Sequence, residues 1–192
     1  MIRISCASLA SIVIDDKYLL CLNKSSLKKG LKVYTPFGGA LEYYPKALDF
    51  LTNIDAGFER ETPDLRFTME EEDHLELYKT WFKKQIDREV GISRELIEEF
   101  VDEEKILKSL TPNDFKSTYL KLVEDESYYN DIMNYRYFEI YNIDFNKIKL
   151  DEIKSILGLD KSKLILVDKE EIEKGFTNSG IKIGDNSKAI LQ

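Results

Sequence analysis

Histidine and cysteine, which build most zinc and thiol sites, are scarce in this chain. Its 192 residues include one histidine, His74, and two cysteines, Cys6 and Cys21. A single histidine among acidic neighbours argues against a histidine-based zinc site and a Ser-His-Asp triad, and we expect it at the surface. The cysteines form no Cys-x-x-Cys pair and lie in apolar, strand-like runs, so we expect buried free thiols in a reducing cytoplasm.

Long apolar runs and an excess of basic residues are also absent. No stretch of about 18 apolar residues is present, and the N-terminus has no signal-peptide pattern. We therefore expect a cytoplasmic protein without a membrane partner. The 36 acidic residues outnumber the 28 basic ones, which gives a net charge of -8. This charge argues against salt-driven binding to duplex DNA or RNA, although a few lysines and a metal ion can still neutralise a pyrophosphate.

Apolar residues are plentiful, with 43% hydrophobic and 11% aromatic residues. This content predicts a folded chain, and the length suits one domain with a sizeable core. Apolar runs on either side of Asp15-Asp16 predict a hairpin, and residues 31–37 predict a strand that enters a Gly38-Gly39 turn. Loops are predicted at 24–30, which is basic, at 55–68, which is irregular, and at 124–133, which is polar and joins strands at 117–123 and 134–145. Helices are predicted from Pro45 onward, at about 71–89, near 150–157 and at 169–174, where the last helix ends at Gly175. A further strand is predicted at 164–167.

Three carboxylates are clustered in the sequence Arg94-Glu95-Leu96-Ile97-Glu98-Glu99. In a helix, which Ser93 is expected to cap, offsets of 0, 3 and 4 place them on one face. Like charges at these spacings destabilise an isolated helix by roughly 0.2 to 0.5 kcal/mol per pair. The cluster therefore indicates a site for a hard divalent cation such as Mg2+ or Mn2+, which usually holds phosphate oxygens as well. A solvated acidic face is the alternative, because acidic residues are common in this chain.

A pair of glycines, Gly38 and Gly39, lies upstream of the carboxylates between extended stretches. Without a Cβ, backbone at such positions can approach a ligand or a metal ion closely. A plain tight turn explains the glycines equally well when they are considered alone. Together, the glycine and carboxylate segments are typical of a split binding motif.

The two segments resemble the sequence box of the Nudix hydrolases, which cleave nucleoside diphosphates linked to another group. The matching residues are Gly38, Gly39 and Glu42 in the first part of the box, and Arg94, Glu95, Leu96, Glu98 and Glu99 in the second. The chain is most similar to a subgroup, the SMODS-associated NUDIX domains of bacterial conflict systems. This similarity covers nearly the whole chain and rests on Tyr43-Tyr44-Pro45, Trp81-Phe82, Asp87-Arg88-Glu89, Ile183-Gly184 and Ser187-Lys188-Ala189-Ile190-Leu191.

The resemblance implies an α/β (α+β) fold in which a mixed β-sheet lies between helices. It implies a single domain over 1–192, with a helical insertion inside the box at about 43–88. The expected activity is that of a Mg2+- or Mn2+-dependent pyrophosphohydrolase, in which water attacks a pyrophosphate linkage of a nucleotide or nucleotide-derived molecule. The subgroup adds a role in bacterial anti-phage or nucleotide-signalling defence. The sequence leaves a homo-oligomer open.

The resemblance also assigns roles to individual residues. Glu98 and Glu99 are the expected metal ligands, and Glu95 is a further ligand or the base that orients the attacking water. Arg94, which stays protonated, is expected to support catalysis by holding Glu95 or the glycine turn. The expected catalytic residues are then Glu95, Arg94 and Glu98, and the Gly39 carbonyl is a further metal ligand. The expected substrate-binding residues are Gly38, Gly39, Glu42 and Lys24, although exposed lysines such as Lys24 are more often solubilising.

Two positions depart from the box. Ile86 stands where the box has a glutamate, and Val101 stands where it has a glycine. Asp87 or Glu89 could replace the missing carboxylate, and the missing glycine predicts a changed helix end. These departures leave two further hypotheses open: a nucleotide sensor that binds without hydrolysis, and a purely structural domain.

Overall fold

The computed structural model describes residues 1–70, 72–129, 131–159 and 163–192. These residues form two compact units. The first unit comprises Met1–Ser8, Gly39–Gly91 and Lys121–Glu139, and the second comprises Leu9–Gly38, Ile92–Leu120 and Ile140–Gln192. Each unit has a hydrophobic core of its own.

Strands and helices are mixed along the described residues, which confirms the predicted α/β class. The strands are β1 (Ile2–Ser11), β2 (Val13–Ile14), β3 (Lys17–Leu22), β4 (Val33–Thr35), β5 (Gly38–Ala40), β6 (Gly57–Phe58), β7 (Arg66–Met69), β8 (Phe115–Tyr129), β9 (Ile132–Phe145), β10 (Leu164–Val167) and β11 (Lys182–Ile183). The α-helices are α1 (Lys24–Leu27), α2 (Leu48–Asn53), α3 (Glu72–Lys84), α4 (Ser93–Ile97), α5 (Lys147–Leu159) and α6 (Lys169–Lys174). Short 3-10 helices cover Pro45–Ala47, Pro112–Asp114 and Asp185–Ile190, and a π-helix covers Glu98–Glu103. None of the helices in these residues is long and apolar enough to span a bilayer.

The strands of the first unit belong to a sheet with the order β6-β7-β1-β9-β8, in which β5 also pairs with β1. β1 and β7 are antiparallel, with Ile2 opposite Met69 and Ile4 opposite Phe67. All four side chains are buried, as the two-residue period of a strand requires when one face packs on a core. Helices α2 and α3 complete this core with Leu51, Leu75, Tyr78 and Phe82.

The strands of the second unit belong to a sheet with the order β10-β3-β4-β11, in which β2 also pairs with β3. β3 is antiparallel to β10 and β4, whereas β11 is parallel to β4, so the sheet is mixed. The predicted hairpin is confirmed, because Val13 lies opposite Tyr18 across a turn formed by Asp15 and Asp16. Both turn residues have positive φ, which suits a two-residue hairpin. The core of this unit includes Leu19, Phe37, Leu96, Phe100, Ile153 and Leu164.

Three segments that were predicted to be loops contain helices or strands, so these predictions were wrong. The loop at 24–30 contains α1, which begins where the Asn23 side chain accepts a hydrogen bond from the Ser26 amide at 2.8 Å. The loop at 55–68 contains β6 and part of β7. The segment predicted as a polar loop at 124–133 is occupied by the ends of β8 and β9, apart from the turn residue Asp131 and from Asn130, which lies outside the described residues. In the two segments that contain strands, polar side chains resemble those of a loop, because half of a strand's side chains can face solvent.

The helix predicted over 71–89 is shorter in the structure, which describes it as α3 from Glu72 onward; Glu71 lies outside the described residues. It ends before Gln85, whose positive φ is incompatible with a right-handed helix. Ile86 therefore lies outside the helix and is 51% exposed. Ser93 is the first residue of α4 rather than its cap, since Ile92 takes the cap position without a side-chain hydrogen bond.

Several local predictions are confirmed. Pro45 opens a helical turn, β10 has the predicted bounds, and α6 ends at Gly175, which has a φ of 77°. Cys6 and Cys21 are buried free thiols, and burial raises the pKa of Cys6 to about 12. His74, expected at the surface, is half-buried.

Candidate active site

The predicted carboxylates lie on a helix that changes its winding. α4 continues directly into the π-helix Glu98–Glu103, where the Glu104 amide donates to the Glu99 carbonyl, five residues earlier, at 2.9 Å. A π turn is wider than an α turn, so side chains after Ile97 point in directions that α-helical spacing does not predict. Val101 lies inside the π-helix, which agrees with the changed helix end predicted from the missing glycine.

Glu99 contacts the paired-glycine segment. The Gly38 amide donates to Glu99 Oε2 at 2.6 Å, across 61 positions of sequence. Gly38 has a φ of 137°, which L side chains rarely adopt. Phe37 precedes Gly38 and Phe100 follows Glu99, and their buried rings stack with centroids 4.1 Å apart. This stack therefore holds the end of the glycine strand against the carboxylate helix.

Burial raises the pKa of the Glu99 carboxyl to about 8. The hydrogen bond from Gly38 lowers this pKa, whereas the negative charges of Glu95, Glu103 and Glu104 raise it further. The second unit thus concentrates carboxylates around a group that is largely removed from water. Such a group is stabilised in its charged form by a nearby cation.

Arg94 holds the other two predicted carboxylates. Its Nη1 atom lies 2.9 Å from Glu95 Oε1 and 3.1 Å from Glu98 Oε2. The Glu95 side chain is 13% exposed, and the Glu98 side chain is 43% exposed. The contact with Glu95 is the one expected for Arg94, whereas the contact with Glu98 was not predicted. Glu95 and Glu98 therefore pair with a guanidinium, whereas Glu99 accepts a hydrogen bond from a backbone amide.

The donor chemistry fits a hard divalent cation, because all three side chains offer carboxylate oxygens. The geometry is not assembled for one: in the part of the chain that the structure describes, no group of three or more His, Cys, Asp or Glu side chains could hold a metal ion. Arg94 already lies against Glu95 and Glu98. Coordination by all three carboxylates therefore requires their side chains to turn away from these contacts.

One comparison with known proteins identifies a family. A family model described as the SMODS-associated NUDIX domain matches residues 1–191. The chain belongs to the SMODS-associated NUDIX domain family. This membership confirms the family resemblance seen in the sequence, and it indicates a nucleotide-related hydrolase from a class that generally uses divalent metals. No curated protein and no solved structure gives a significant match.

In this NUDIX domain, Lys24 neutralises a carboxylate at the end of the π-helix. Its Nζ lies 3.1 Å from Glu104 Oε1, and it also donates to the Glu103 carbonyl. The Glu104 side chain is buried, and its own carbonyl accepts a hydrogen bond from Lys163 Nζ at 3.0 Å. These contacts stabilise the helix end. The substrate-binding role of Lys24 stays a prediction.

Gly39 and Glu42 belong to the first unit of the NUDIX domain. Gly39 lies in β5, and the Glu42 amide donates to Glu89 Oε2 at 3.2 Å. Asp87 and Glu89, the carboxylates expected to compensate for Ile86, follow the end of α3 and lie outside any helix. The metal- and substrate-binding roles of Gly39 and Glu42 stay predictions.

Sequence reasoning missed the aromatic pair that supports the site. Phe37 and Phe100 each stand beside a predicted site residue in the sequence, and this adjacency is the signal that could have singled them out. It missed the π-helix because no residue in Glu98–Glu103 marks one. It also missed Glu104 as the partner of Lys24, since the pair joins segments far apart in the chain.

Proposed function

We propose that this NUDIX domain is a divalent-cation-dependent pyrophosphohydrolase that acts on a nucleotide or nucleotide-derived molecule with a diphosphate linkage. The observation that carries the proposal is the 2.6 Å hydrogen bond from the Gly38 amide to Glu99. Within the second unit, it joins Gly38 from the glycine part of the box to Glu99 from the carboxylate part. The family match over residues 1–191 supports the reaction class.

In this proposal, Glu98 and Glu99 would hold Mg2+ or Mn2+, with Glu95 as a further ligand or as the base, and the Gly39 carbonyl would be the ligand that the family resemblance implies. When bound, the cation supplies positive charge that offsets the negative charge developing on the phosphate oxygens. Arg94 orients Glu95 and Glu98, with which it is paired. Glu95, the less exposed of these two, accepts a proton from the attacking water. The Gly38 amide orients Glu99.

We further propose where the protein acts and in which process. Buried free thiols at Cys6 and Cys21 suit a reducing cytoplasm. We also propose a role in bacterial anti-phage or nucleotide-signalling defence, which is the role that the resemblance to the SMODS-associated subgroup implies. The substrate would then be a nucleotide metabolite or a nucleotide signal.

The test is turnover across a panel of nucleoside triphosphates, dinucleoside polyphosphates, NAD and ADP-ribose, with Mg2+, Mn2+ or EDTA. Products are separated by chromatography and assigned by phosphorus NMR. We expect metal-dependent release of a nucleoside monophosphate or of pyrophosphate. Glu99→Gln should lower kcat at least about 100-fold, which corresponds to nearly 3 kcal/mol of lost transition-state stabilisation.

The matched control is Glu103→Gln, which removes an exposed carboxylate from the same helix. It should retain kcat within about twofold, because its side chain is not a proposed ligand. Absence of metal-dependent turnover across the panel, or equal loss in both variants, would contradict the proposed reaction.

A nucleotide sensor is the second candidate, and one observation favours it. Arg94 lies against Glu95 and Glu98, and the described residues contain no group of three or more potential ligands arranged for a metal ion. A sensor would bind members of the same panel in calorimetry and raise the melting temperature without product formation. Binding without turnover at saturating Mn2+ would favour the sensor over the hydrolase.

A further inference from the structure

A buried ion pair in the first unit has no role in the proposal above. Arg88 and Glu139 are paired at 2.6 Å, and their side chains are 1% and 3% exposed. Removing two charges from water is costly, and replacing such a pair by apolar residues of similar volume is often neutral or stabilising. Net stability alone therefore does not account for the pair. The groups that Arg88 positions indicate a further role for the pair.

Arg88 uses its other donors on backbone carbonyls. Nε and Nη2 donate to the Phe82 carbonyl at 3.0 and 2.8 Å, and Nη1 donates to the Glu89 carbonyl at 2.7 Å. The guanidinium carbon lies 3.8 Å from the centroid of the Phe82 ring. A guanidinium is a rigid planar fork, so these contacts fix Glu89 relative to the end of α3 and to Glu139 on β9.

Glu89 is in turn bonded to the chain that follows the paired glycines. Residues 42–44 and 87–89 form a short antiparallel pairing, which we call the base ribbon. In it, the Tyr44 amide donates to the Asp87 carbonyl at 2.8 Å, and the Glu89 amide donates to the Glu42 carbonyl at 2.8 Å. Tyr43 lies opposite Arg88. The base ribbon pairs the two ends of the segment predicted as an insertion at 43–88, and the insertion itself stays a prediction.

We propose that Arg88 is a positioning residue that acts through Glu89 and Glu42 on the backbone following Gly39. Its effect on catalysis rests on the proposed function, in which Gly39 contributes a carbonyl ligand. Arg88 contacts no reacting group, so its loss should lower kcat and leave KM nearly unchanged. A misplacement of about 1 Å can cost about 100-fold in rate, and we expect a fall of about 10- to 100-fold.

The test is the double variant Arg88→Met/Glu139→Leu, studied in the full-length chain. It removes both buried charges together, so neither is left without a partner, and its melting temperature should stay within about 5 °C of wild type. The control is Arg136→Met/Asp125→Leu, which removes a 2.7 Å pair from β8 and β9 of the same unit. The control should leave kcat and KM within about twofold.

Amide hydrogen exchange, followed by NMR, measures the base ribbon directly. In wild type, the Tyr44 and Glu89 amides should be protected. In the Arg88 double variant they should exchange at least about tenfold faster, whereas the Ala56 amide, which donates to the Leu51 carbonyl at 3.0 Å, should not change. The control variant should change none of the three.

Lower kcat with unchanged KM, normal stability and faster exchange at Tyr44 and Glu89 would support the proposal. Unprotected ribbon amides in wild type would overturn it, and so would a stable double variant with normal kcat and exchange. If the double variant does not fold, Arg88→Lys decides, because a lysine keeps the charge but cannot make all the contacts of the fork. A folded Arg88→Lys variant with normal kcat would overturn the proposal, and a reduced kcat would support it.

The hydrolase proposal and the positioning role of Arg88 can be refuted independently. Absence of turnover in wild type would remove the hydrolase proposal, and the exchange rates at Tyr44 and Glu89 would still decide whether Arg88 positions the base ribbon. Normal turnover in wild type, with unchanged exchange and kcat in the double variant, would remove the role of Arg88 alone.

Discussion

Glu99→Gln should make the metal-free protein more stable than wild type at alkaline pH. Burial raises the pKa of the Glu99 carboxyl from 4.5 to about 8. Between these values the folded protein keeps a proton that the unfolded chain has lost, so the stability of wild type falls as pH rises. Glutamine is neutral at every pH, and its amide oxygen can still accept the Gly38 hydrogen bond.

The expected difference follows from the size of the pKa shift. A shift of about 3.5 units, at 1.36 kcal/mol per unit, corresponds to about 5 kcal/mol when it is fully developed. The wild-type contribution is present below about pH 4.5 and is lost progressively up to about pH 8. The variant should therefore match wild type near pH 5 and exceed it by a few kcal/mol at pH 9.

Urea unfolding in EDTA, followed by circular dichroism between pH 5 and pH 9, measures this difference. Glu98→Gln is the control, because its side chain is 43% exposed and paired with Arg94. An exposed pair contributes about 0 to 1 kcal/mol, so this control should show no comparable dependence on pH. A difference between Glu99→Gln and wild type that stays constant from pH 5 to pH 9 would refute the reasoning, and so would one that favours wild type as pH rises.

Two further predictions concern the second unit. Gly184→Ala should lower stability by about 1 to 3 kcal/mol in thermal denaturation, because its Cβ would lie 2.7 Å from Thr35 Cγ2. Gly158→Ala, with nothing within 4 Å of its Cβ, should change stability by less than about 1 kcal/mol, and equal effects would contradict this account. Lys24→Met should lower stability by about 1 to 2 kcal/mol in urea, because it leaves the buried Glu104 carboxylate without this cation. Lys24→Arg should restore most of the loss, and a Met variant as stable as wild type would show that the pair is energetically neutral.

The elements predicted with correct bounds are those with local signals. α6 begins after Asp168, which forms a capping box with Glu171, and ends at the left-handed Gly175. β10 is a short apolar run bounded by polar residues. The hairpin at Asp15-Asp16 likewise depends on adjacent residues. Such signals act within a few residues and are readable without a partner.

Two of the segments wrongly predicted as loops form strands, and these strands depend on pairing with other strands. β8 and β9 extend through a polar stretch because each strand's hydrogen bonds are completed by a neighbouring strand of the sheet. β6 exists because Gly57 and Phe58 pair with Thr68 and Phe67 on β7. Local composition favoured loops in both segments, and backbone pairing overrode that preference.

The sequence by itself determined which chemical groups this protein can use. Carboxylates at helical spacing, paired glycines and the wider pattern of the chain were sufficient to predict the family, which the match over residues 1–191 confirms. Residue type and spacing are local properties, and they carry this information without coordinates.

Only the tertiary structure decided which of these groups meet and what surrounds them. In the structure, Glu99 accepts a hydrogen bond from the Gly38 amide, and Arg94 forms ion pairs with Glu95 and Glu98. The pKa of Glu99 is raised because its carboxyl is buried and because neighbouring carboxylates carry negative charge. Burial, π-helical winding and pairing across long stretches of chain are collective results of packing. No single segment of sequence encodes them.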